Sequence, residues 1–434
     1  LKERYKLPRG MKDIGPKEMG LRLWISDRIL EVLNRYGFRL VEPSPIEGLE
    51  TLEAKCGPSV RKEIYWFEDK AGRKLGLRFD LTVGLARMVA SRRDIPLPAK
   101  LAALSNMWRY DEPQHGRYRC FYQWDAEVFG SPLPDADAEV IALSMDILDA
   151  LKLENYEVRV SSRRLAEGFL NSLQIEKLES VEATLRVIDK FRKVSREKLA
   201  EEFYGLGLTE DTVEGIFGFM AIQDSPEKAL KRLRELGVEN EKFQRGISEV
   251  ESALDVLKAM GKGERVILDA SIVRGLGYYD GIVFEIYDRA DLGLGALVGG
   301  GRFDRLCKLY GRDLPATGAA GGIERTILAL EKSGVAGRFD QKPKVFVASA
   351  GEQAKIKVLE IVARLRGLGV SVEYDLKGRS LKGQLEYADS NGIPYVLIVG
   401  RKEIERGVVR LKDMEKRVEK ELGFDECLKL LSRG

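Results

Sequence analysis

The stretch Met107–Gly130, MWRYDEPQHGRYRCFYQWDAEVFG, decides how the chain is read. Pro113 and Gly116 mark a turn, so the segments on either side form a β-hairpin with a longish loop. Side chains alternate between the two faces of a strand. On the second strand the even positions, Tyr118, Cys120, Tyr122, Trp124, Ala126 and Val128, are core material. The odd positions, Arg117, Arg119, Phe121, Gln123, Asp125 and Glu127, are polar apart from one ring. On a generic antiparallel strand such a face would be solvated. Here it is graded, with arginines at one end, an aromatic in the middle, and an amide with two carboxylates at the other. That row suits a polyphosphate gripped by guanidinium forks, a base stacked on Phe121 and an amine-bearing group held by the acids. Arg109 and Asp111 share this parity on the preceding strand. Periodicity alone leaves both readings open, a solvated sheet face and a nucleotide-plus-amino-acid site.

Working outward, Lys17 to Arg35 reads as a helix, with Leu21, Trp24, Ile25, Ile29 and Leu33 at helical spacing and a turn at Tyr36-Gly37. Leu81–Ser91 and Ala136–Leu151 are further helices, set among strand-like runs. From about residue 162 to 262 the character changes. Glu and Lys dominate, helical periodicity runs throughout and strand signals nearly vanish, as in a helical insertion. Strand and glycine signals return between Arg265 and Arg325. Gly334–Pro343 reads as a linker, and beyond it KVFVAS, VSVEY and YVLIVG alternate with helical segments, closed by GVVRL and a final helix from Glu415. Such alternation predicts a small α/β domain.

Two further clusters carry chemistry. In DASIVRGLGYYDGIVFEIY, Asp269–Tyr287, Gly275, Gly277 and Gly281 interrupt a β-rich run and mark bends or close ligand approach. Arg274 is a lone cation in an apolar setting and needs an anionic partner. That partner is either internal, Asp269 or Glu285, or a bound carboxylate or phosphate. Tyr278 and Tyr279 are core aromatics or present a hydroxyl to a ligand. The third cluster joins LVGGGRFDRL to ATGAAGGIERTILALEK. It contains neither G-x-x-x-x-G-K-[ST] nor G-x-G-x-x-G, so a P-loop and a dinucleotide fingerprint are excluded. The glycines either cradle phosphate or permit tight packing of strand on helix, with Arg325 the notable cation near the helix start.

Composition narrows the function classes. At roughly 150 residues per domain, 434 residues predict two or three domains with a substantial core. No apolar run approaches the about 18 residues that cross a bilayer, and the charged opening is not a secretory signal, so no membrane partner is expected. Cys56, Cys120, Cys307 and Cys427 lie far apart, and His115 is the single histidine, so no zinc cluster, disulfide scaffold or His-dependent triad is expected. The chain reads as cytoplasmic. A net charge of +3 argues against a polybasic binder while leaving room for local basic patches.

In this order the three clusters resemble the class II aminoacyl-tRNA synthetases, and in detail the histidyl-tRNA synthetase family. The Met107–Gly130 hairpin is similar to that family's motif 2, VRGLGYYDGIVFE to its histidine-specific signature, GGGRFDRL to its glycine-rich companion and GAAGGIERT to motif 3. LPRGMKDIGP resembles the family's N-terminal opening. The resemblance covers essentially the whole chain. It implies an α+β fold: a class II antiparallel sheet with helices over residues 1–335, interrupted by a helical insertion at about 162–262, and a C-terminal α/β anticodon-binding domain over 342–434. It implies a ligase that activates L-histidine with ATP, with Mg²⁺ bound alongside the nucleotide, and transfers histidine to tRNA(His), working as a homodimer. Position by position, Arg109 would hold the α-phosphate and the histidine carboxylate. Arg117 and Arg325 would hold the outer phosphates, and Phe121 would stack the adenine. Asp80, Thr82 and Gln123 would receive the α-ammonium group. Glu127 and Tyr279 would bind the imidazole, with Tyr278 beside them, and Arg274 would stabilise the pentacovalent phosphate. The sequence departs from the family pattern at Ser44, Phe79, Asp111, Cys120, Gly277 and Phe303, none of which removes a group assigned to chemistry. The alternative implied by the same resemblance is a non-catalytic paralogue acting as a regulatory subunit in histidine biosynthesis, which lacks the C-terminal domain.

Overall fold

A computed structural model describes residues 5–56, 58–113, 116, 118–274, 278–335 and 342–432. The chain forms two compact units, Leu1–Phe339 and Asp340–Gly434. The first contains strands β1 (Arg39–Leu40), β2 (Ile46–Gly48), β3 (Trp66–Glu68), β4 (Lys74–Leu77), β5 (Ala99–Trp108), β6 (Cys120–Phe129), β7 (Tyr156–Ser162), β8 (Gln223–Asp224), β9 (Val266–Asp269), β10 (Ile282–Asp288), β11 (Val298–Arg302) and β12 (Ala316–Gly322). Nine of them make one sheet in the order β1-β5-β6-β12-β11-β10-β7-β9-β8, while β2–β4 form a separate three-stranded sheet. Every pairing in the large sheet is antiparallel except β1 with β5 and β7 with β9. The expected hairpin is β5–β6, and it occupies the middle of one half of the sheet.

The even face of β6 packs as the alternation predicts from Trp124 onward. Trp124, Ala126 and Val128 join Val158 and Val160 of β7 and Phe284 and Ile286 of β10 in one apolar core. Tyr122 is partly buried against that core, whereas Cys120 and Tyr118 lie at its margin. The helix Pro16–Arg35 covers the core with Leu21, Ile25, Ile29, Val32 and Leu33. Pro16 starts it, and Gly37 takes a φ of 73° just past its end, a conformation a side chain would resist. The helix Pro134–Ala150 lies on the same side.

The stretch after Ser162 is helical, as expected, with helices Arg163–Ser172, Leu178–Ile188, Arg196–Gly205, Glu210–Met220, Pro226–Glu235 and Glu241–Ala259. Its apolar residues belong to the same core as the sheet, and the two-residue β8 between helices adds an edge strand to that sheet. Helices 163–172 and 241–259 meet closely enough that a Cβ at Gly168 would stand 2.5 Å from the backbone nitrogen of Phe243. The glycines of VGGGRFD and ATGAAGG lie within β11 and β12, so they pack strand on strand and do not form a loop ahead of a helix.

The second unit contains β13 (Val345–Ala350), β14 (Val372–Tyr374), β15 (Tyr395–Gly400), β16 (Val408–Asp413) and β17 (Val418–Gly423), in the order β14-β13-β15-β16-β17. Helices Lys355–Gly367 and Leu381–Ser390 follow the expected alternation. The final helix expected from Glu415 is corrected. Asp413 accepts the backbone N–H groups of Glu415 and Lys416 at 3.1 and 2.9 Å, Arg417 adopts a φ of 54°, and the chain turns back. Val418–Gly423 then pairs along the whole of β16, and the helix is Phe424–Ser432. The Glu/Lys-rich sequence favours helix locally, but the ladder of the preceding strand overrides it. Among the described residues no helix is long and apolar enough to cross a membrane.

Candidate active site

Directly opposed residues in neighbouring strands share a face. On β6, Gln123, Asp125 and Glu127 face Gly322, Ala320 and Gly318 of β12. Ala320 faces Gly299 of β11, Gly299 faces Glu285 of β10, and Glu285 faces Arg159 of β7. The transverse row is therefore polar at both ends and nearly devoid of side chains between them. This bare floor underlies a cavity of about 1110 Å³. The small residues are required by their neighbours as well: a Cβ on Gly318 would stand 2.6 Å from Cγ of Glu127, and one on Gly299 would run into the guanidinium of Arg274.

At the β6 end the cavity is anionic. Asp80, Thr82, Gln123, Asp125 and Glu127 all line it and all are buried. Asp125, 1% exposed, accepts the Gln123 amide at 2.7 Å and the Thr82 hydroxyl at 3.4 Å. Asp80 accepts the backbone N–H of Val83 at 3.0 Å, which fixes its carboxylate at the start of the helix Thr82–Ser91. Three carboxylates in a recess closed to bulk water favour a cationic guest. Tyr278 and Tyr279 lie against each other with ring planes tilted 35° and centroids 4.3 Å apart, and Phe303 meets Tyr278 edge-on at 6.2 Å. Burial first, then the neighbouring Tyr279, holds the Tyr278 phenol well above its ordinary range, so its proton is retained at neutral pH.

Arginines line the same cavity, Arg109 beside the β6 end and Arg274 at the β10 end. Arg109 donates from Nε to the carbonyl of Phe79 at 2.8 Å and lies 5.0 Å over the Phe121 ring, so ring and guanidinium form one wall. Arg325 donates to the carbonyl of Ala296 at 2.9 Å. Arg274 donates from Nη1 to Glu285 at 2.8 Å and from Nη2 to the Tyr279 hydroxyl at 3.4 Å. Of its two expected internal partners, then, Glu285 is the one it meets, and it lines the cavity as well. Burial opposes its charge, but Tyr279, Glu285 and Tyr278 outweigh that cost and the guanidinium stays protonated. Its φ of 51° is left-handed for a non-glycine residue, a strain of ~1–3 kcal/mol that clusters at functional sites.

Ten of the eleven residues expected at the site therefore line one cavity: Asp80, Thr82, Arg109, Phe121, Gln123, Glu127, Arg274, Tyr278, Tyr279 and Arg325. The eleventh, Arg117, lies outside the described residues, as do Gly275 and Gly277. Arg119, grouped with Arg117 by parity, turns away. Its Nε donates to the carbonyl of Asp111 at 2.9 Å, its guanidinium covers Tyr110 at 4.0 Å, and its backbone N–H donates to Gly10, tying the N-terminal segment to the hairpin. Ser44 closes a local turn, donating to the Ile46 carbonyl at 2.6 Å. Two features escaped the sequence reading. Asp125 bridges Thr82 and Gln123, a role its parity with Glu127 hinted at, and Glu324 receives both the Tyr122 backbone N–H and Arg22 at 2.8 Å, a link across 302 residues with no local signal.

Residues 10–326 match the family model for histidyl-tRNA synthetase, and residues 344–433 match that for an anticodon binding domain. A histidine–tRNA ligase from Thermococcus kodakarensis is 38% identical over 431 residues, covering 98% of both chains. One from Pyrobaculum arsenaticum is 39% identical over 422 residues, covering 97% of both. Among solved structures, the histidyl-tRNA synthetase of Nostoc sp. PCC 7120 superposes with a TM-score of 0.85 at 27% identity and 99% coverage of both chains.

Proposed function

Because the chain belongs to the histidyl-tRNA synthetase family, we infer that it is a histidine–tRNA ligase, and that the cavity over the bare sheet floor is where both of its reactions occur. In the first, a carboxylate oxygen of L-histidine attacks the α-phosphorus of ATP, and pyrophosphate leaves. In the second, a ribose hydroxyl at the 3′ end of tRNA(His) attacks the carbonyl carbon of the adenylate, and AMP leaves. The observation that carries the reading is the meeting, in one cavity, of an anionic recess suited to an amino acid's ammonium group and arginines suited to phosphate.

Within that reading Arg109 bridges the histidine carboxylate and the α-phosphate, and its stack with Phe121 continues onto the adenine. Arg117 and Arg325 hold the outer phosphates. Asp80, Thr82 and Gln123 take the α-ammonium group, with Asp125 fixing the last two. Glu127 and Tyr279 read the imidazole beside Tyr278, and Arg274 meets the charge that builds on the α-phosphate during attack. These are positioning and electrostatic tasks, as befits phosphoryl chemistry that uses no protein nucleophile. Mg²⁺ would enter with ATP, its shell shared among phosphate oxygens, waters and one or two carboxylates, and it would neutralise charge on the phosphates.

We assign residues 342–434 to anticodon binding, the protein to the cytoplasm, and its working form to a homodimer. Exposed Leu40, Ile46, Trp66 and Phe67 supply apolar surface that a second copy would cover. The regulatory-subunit alternative is disfavoured by the C-terminal match and by near-full-length similarity to ligases. Histidine-dependent ATP–pyrophosphate exchange is the deciding assay. A ligase exchanges label only when histidine is supplied and charges tRNA(His), whereas folded protein inert in both assays would point to the regulatory alternative.

A further inference from the structure

The polar row continues past the catalytic arginine to the far edge of the sheet. The Glu285 carboxylate that holds Arg274 through Oε1 accepts the Tyr287 hydroxyl through Oε2. The guanidinium of Arg159 lies 4.9 Å over the Tyr287 ring and donates from Nη1 to Asp269 at 3.2 Å. Asp269, wholly buried, also accepts Arg192 at 2.5 Å and the Ser271 hydroxyl at 2.6 Å. Arg192 comes from the loop between helices 178–188 and 196–205, lines the same cavity and reaches on to Gln223 of β8 at 2.7 Å. Charges therefore alternate along the row, with Arg274, Glu285, Arg159, Asp269 and Arg192 in turn.

We propose that Arg192 is a positioning residue for Arg274, acting through Asp269, Arg159, Tyr287 and Glu285. This rests on reading Arg274 as the group that stabilises the transition state. Asp269 has no access to water, so its charge is met within the protein, by Arg159 and Arg192 as its cations and by the Ser271 hydroxyl and backbone N–H. With Arg192 present the two guanidinium groups share it. Without Arg192, Arg159 becomes its sole cationic partner, and the guanidinium, shared with Glu157 through Nε at 2.6 Å, is drawn toward β9 and off the Tyr287 ring. Tyr287 then no longer fixes the second oxygen of Glu285, and the carboxylate that orients Arg274 loses its anchor. Asp269 itself is buried, so water does not replace the lost cation there. The helical stretch would thereby set the electrostatics of activation without touching histidine or ATP.

A double-mutant cycle in the full-length protein tests this, with kcat and KM read from histidine-dependent pyrophosphate exchange. Arg192→Ala should lower kcat by about fivefold to thirtyfold, the span of coupling through a packed network, with KM for histidine and ATP held within about twofold. Arg192→Lys, which restores a charge to Asp269, should recover most of the loss. In an Arg274→Ala background, Arg192→Ala should cost less than about twofold, because the residue it positions is gone. Equal losses in both backgrounds would overturn the proposal. So would a raised KM with kcat intact, which would put Arg192 on a substrate. Arg274→Ala alone with near-normal exchange would show that the underlying reading of Arg274 had failed, and that result is visible before Arg192 is changed. Arg192 is a third exposed, so these variants should fold; Arg192→Gln repeats the cycle should alanine lower the melting temperature.

Discussion

Gly299 and Arg274 compete for the same space: a Cβ on Gly299 would collide with Nη1 of Arg274. The obstacle is the far end of a flexible side chain, so the backbone can accept alanine while the guanidinium cannot stay in place. Gly299→Ala should leave thermal unfolding within about 1 kcal/mol of the parent, since Gly→Ala in a strand is not itself unfavourable. It should nonetheless slow histidine activation by about 10- to 100-fold, approaching the loss of at least ~100-fold expected for Arg274→Ala. A normal exchange rate in a folded Gly299→Ala protein would remove Arg274 from the transition state.

On the proposed reading Glu127 shapes specificity rather than nucleotide affinity. A buried carboxylate that reads an imidazole N–H leaves polar atoms unmatched with any other amino acid. Glu127→Ala should raise KM for histidine by about 100-fold or more while moving KM for ATP by less than about threefold. Equal weakening of both substrates would place Glu127 outside the imidazole pocket.

Asp280 should leave a signature in the pH dependence of stability. Burial, followed by the neighbouring Asp304 carboxylate, pushes its carboxyl up from 3.8 to about 6. The folded state therefore binds this proton more tightly than the unfolded chain. The stability it contributes is fully present below 3.8 and is lost as the pH rises through about 6. Asp280→Asn should flatten that decline by about 1–3 kcal/mol between pH 4 and 7, read from denaturant melts at fixed pH. Parallel pH profiles for variant and parent would refute it.

The C-terminal unit offers a test of modularity. On the proposed assignment activation lies within the first unit, whereas RNA affinity sums phosphate and base contacts over the whole footprint. Removing residues 341–434 should retain most of the pyrophosphate exchange and sharply reduce tRNA charging, with the defect growing at higher salt. Sedimentation must accompany the assay, since truncation could weaken a dimer. A well-folded dimeric truncation that charges tRNA normally would dismiss the C-terminal unit as an anticodon-binding domain.

What could be read from the residues alone followed their periodicity. The alternation of β6 separated Trp124, Ala126 and Val128 from Gln123, Asp125 and Glu127, because a pleated strand permits only two facings. Tertiary partners were harder. The sequence marks Asp125 only as one of two acids on the polar face of β6, and its contact with Thr82, 43 residues away, has no local signal. The glycines of β11 and β12 suggested phosphate loops or helix packing, and only cross-strand register shows that they clear a floor. The stretch after Asp413 misled for the opposite reason, since local helix preference yielded to a ladder set by β16.

A sheet surface paved with Gly299, Gly318, Ala320 and Gly322 has no upper layer of its own. The opposite face of the same strands is covered by the apolar core; on this face the covering layer arrives from solution. Histidine and nucleotide, once seated, act as the missing stratum of the protein's interior, and occupancy becomes a component of folding stability. At a ligand concentration 100 times Kd that component is about 2.7 kcal/mol, comparable to a buried leucine. The corollary bears on adaptation to heat. Adding methyl groups to this surface would stiffen the empty protein only by evicting its substrates. A stabilising substitution that keeps binding intact therefore belongs on the opposite face or among the outer ion pairs, with the floor left bare.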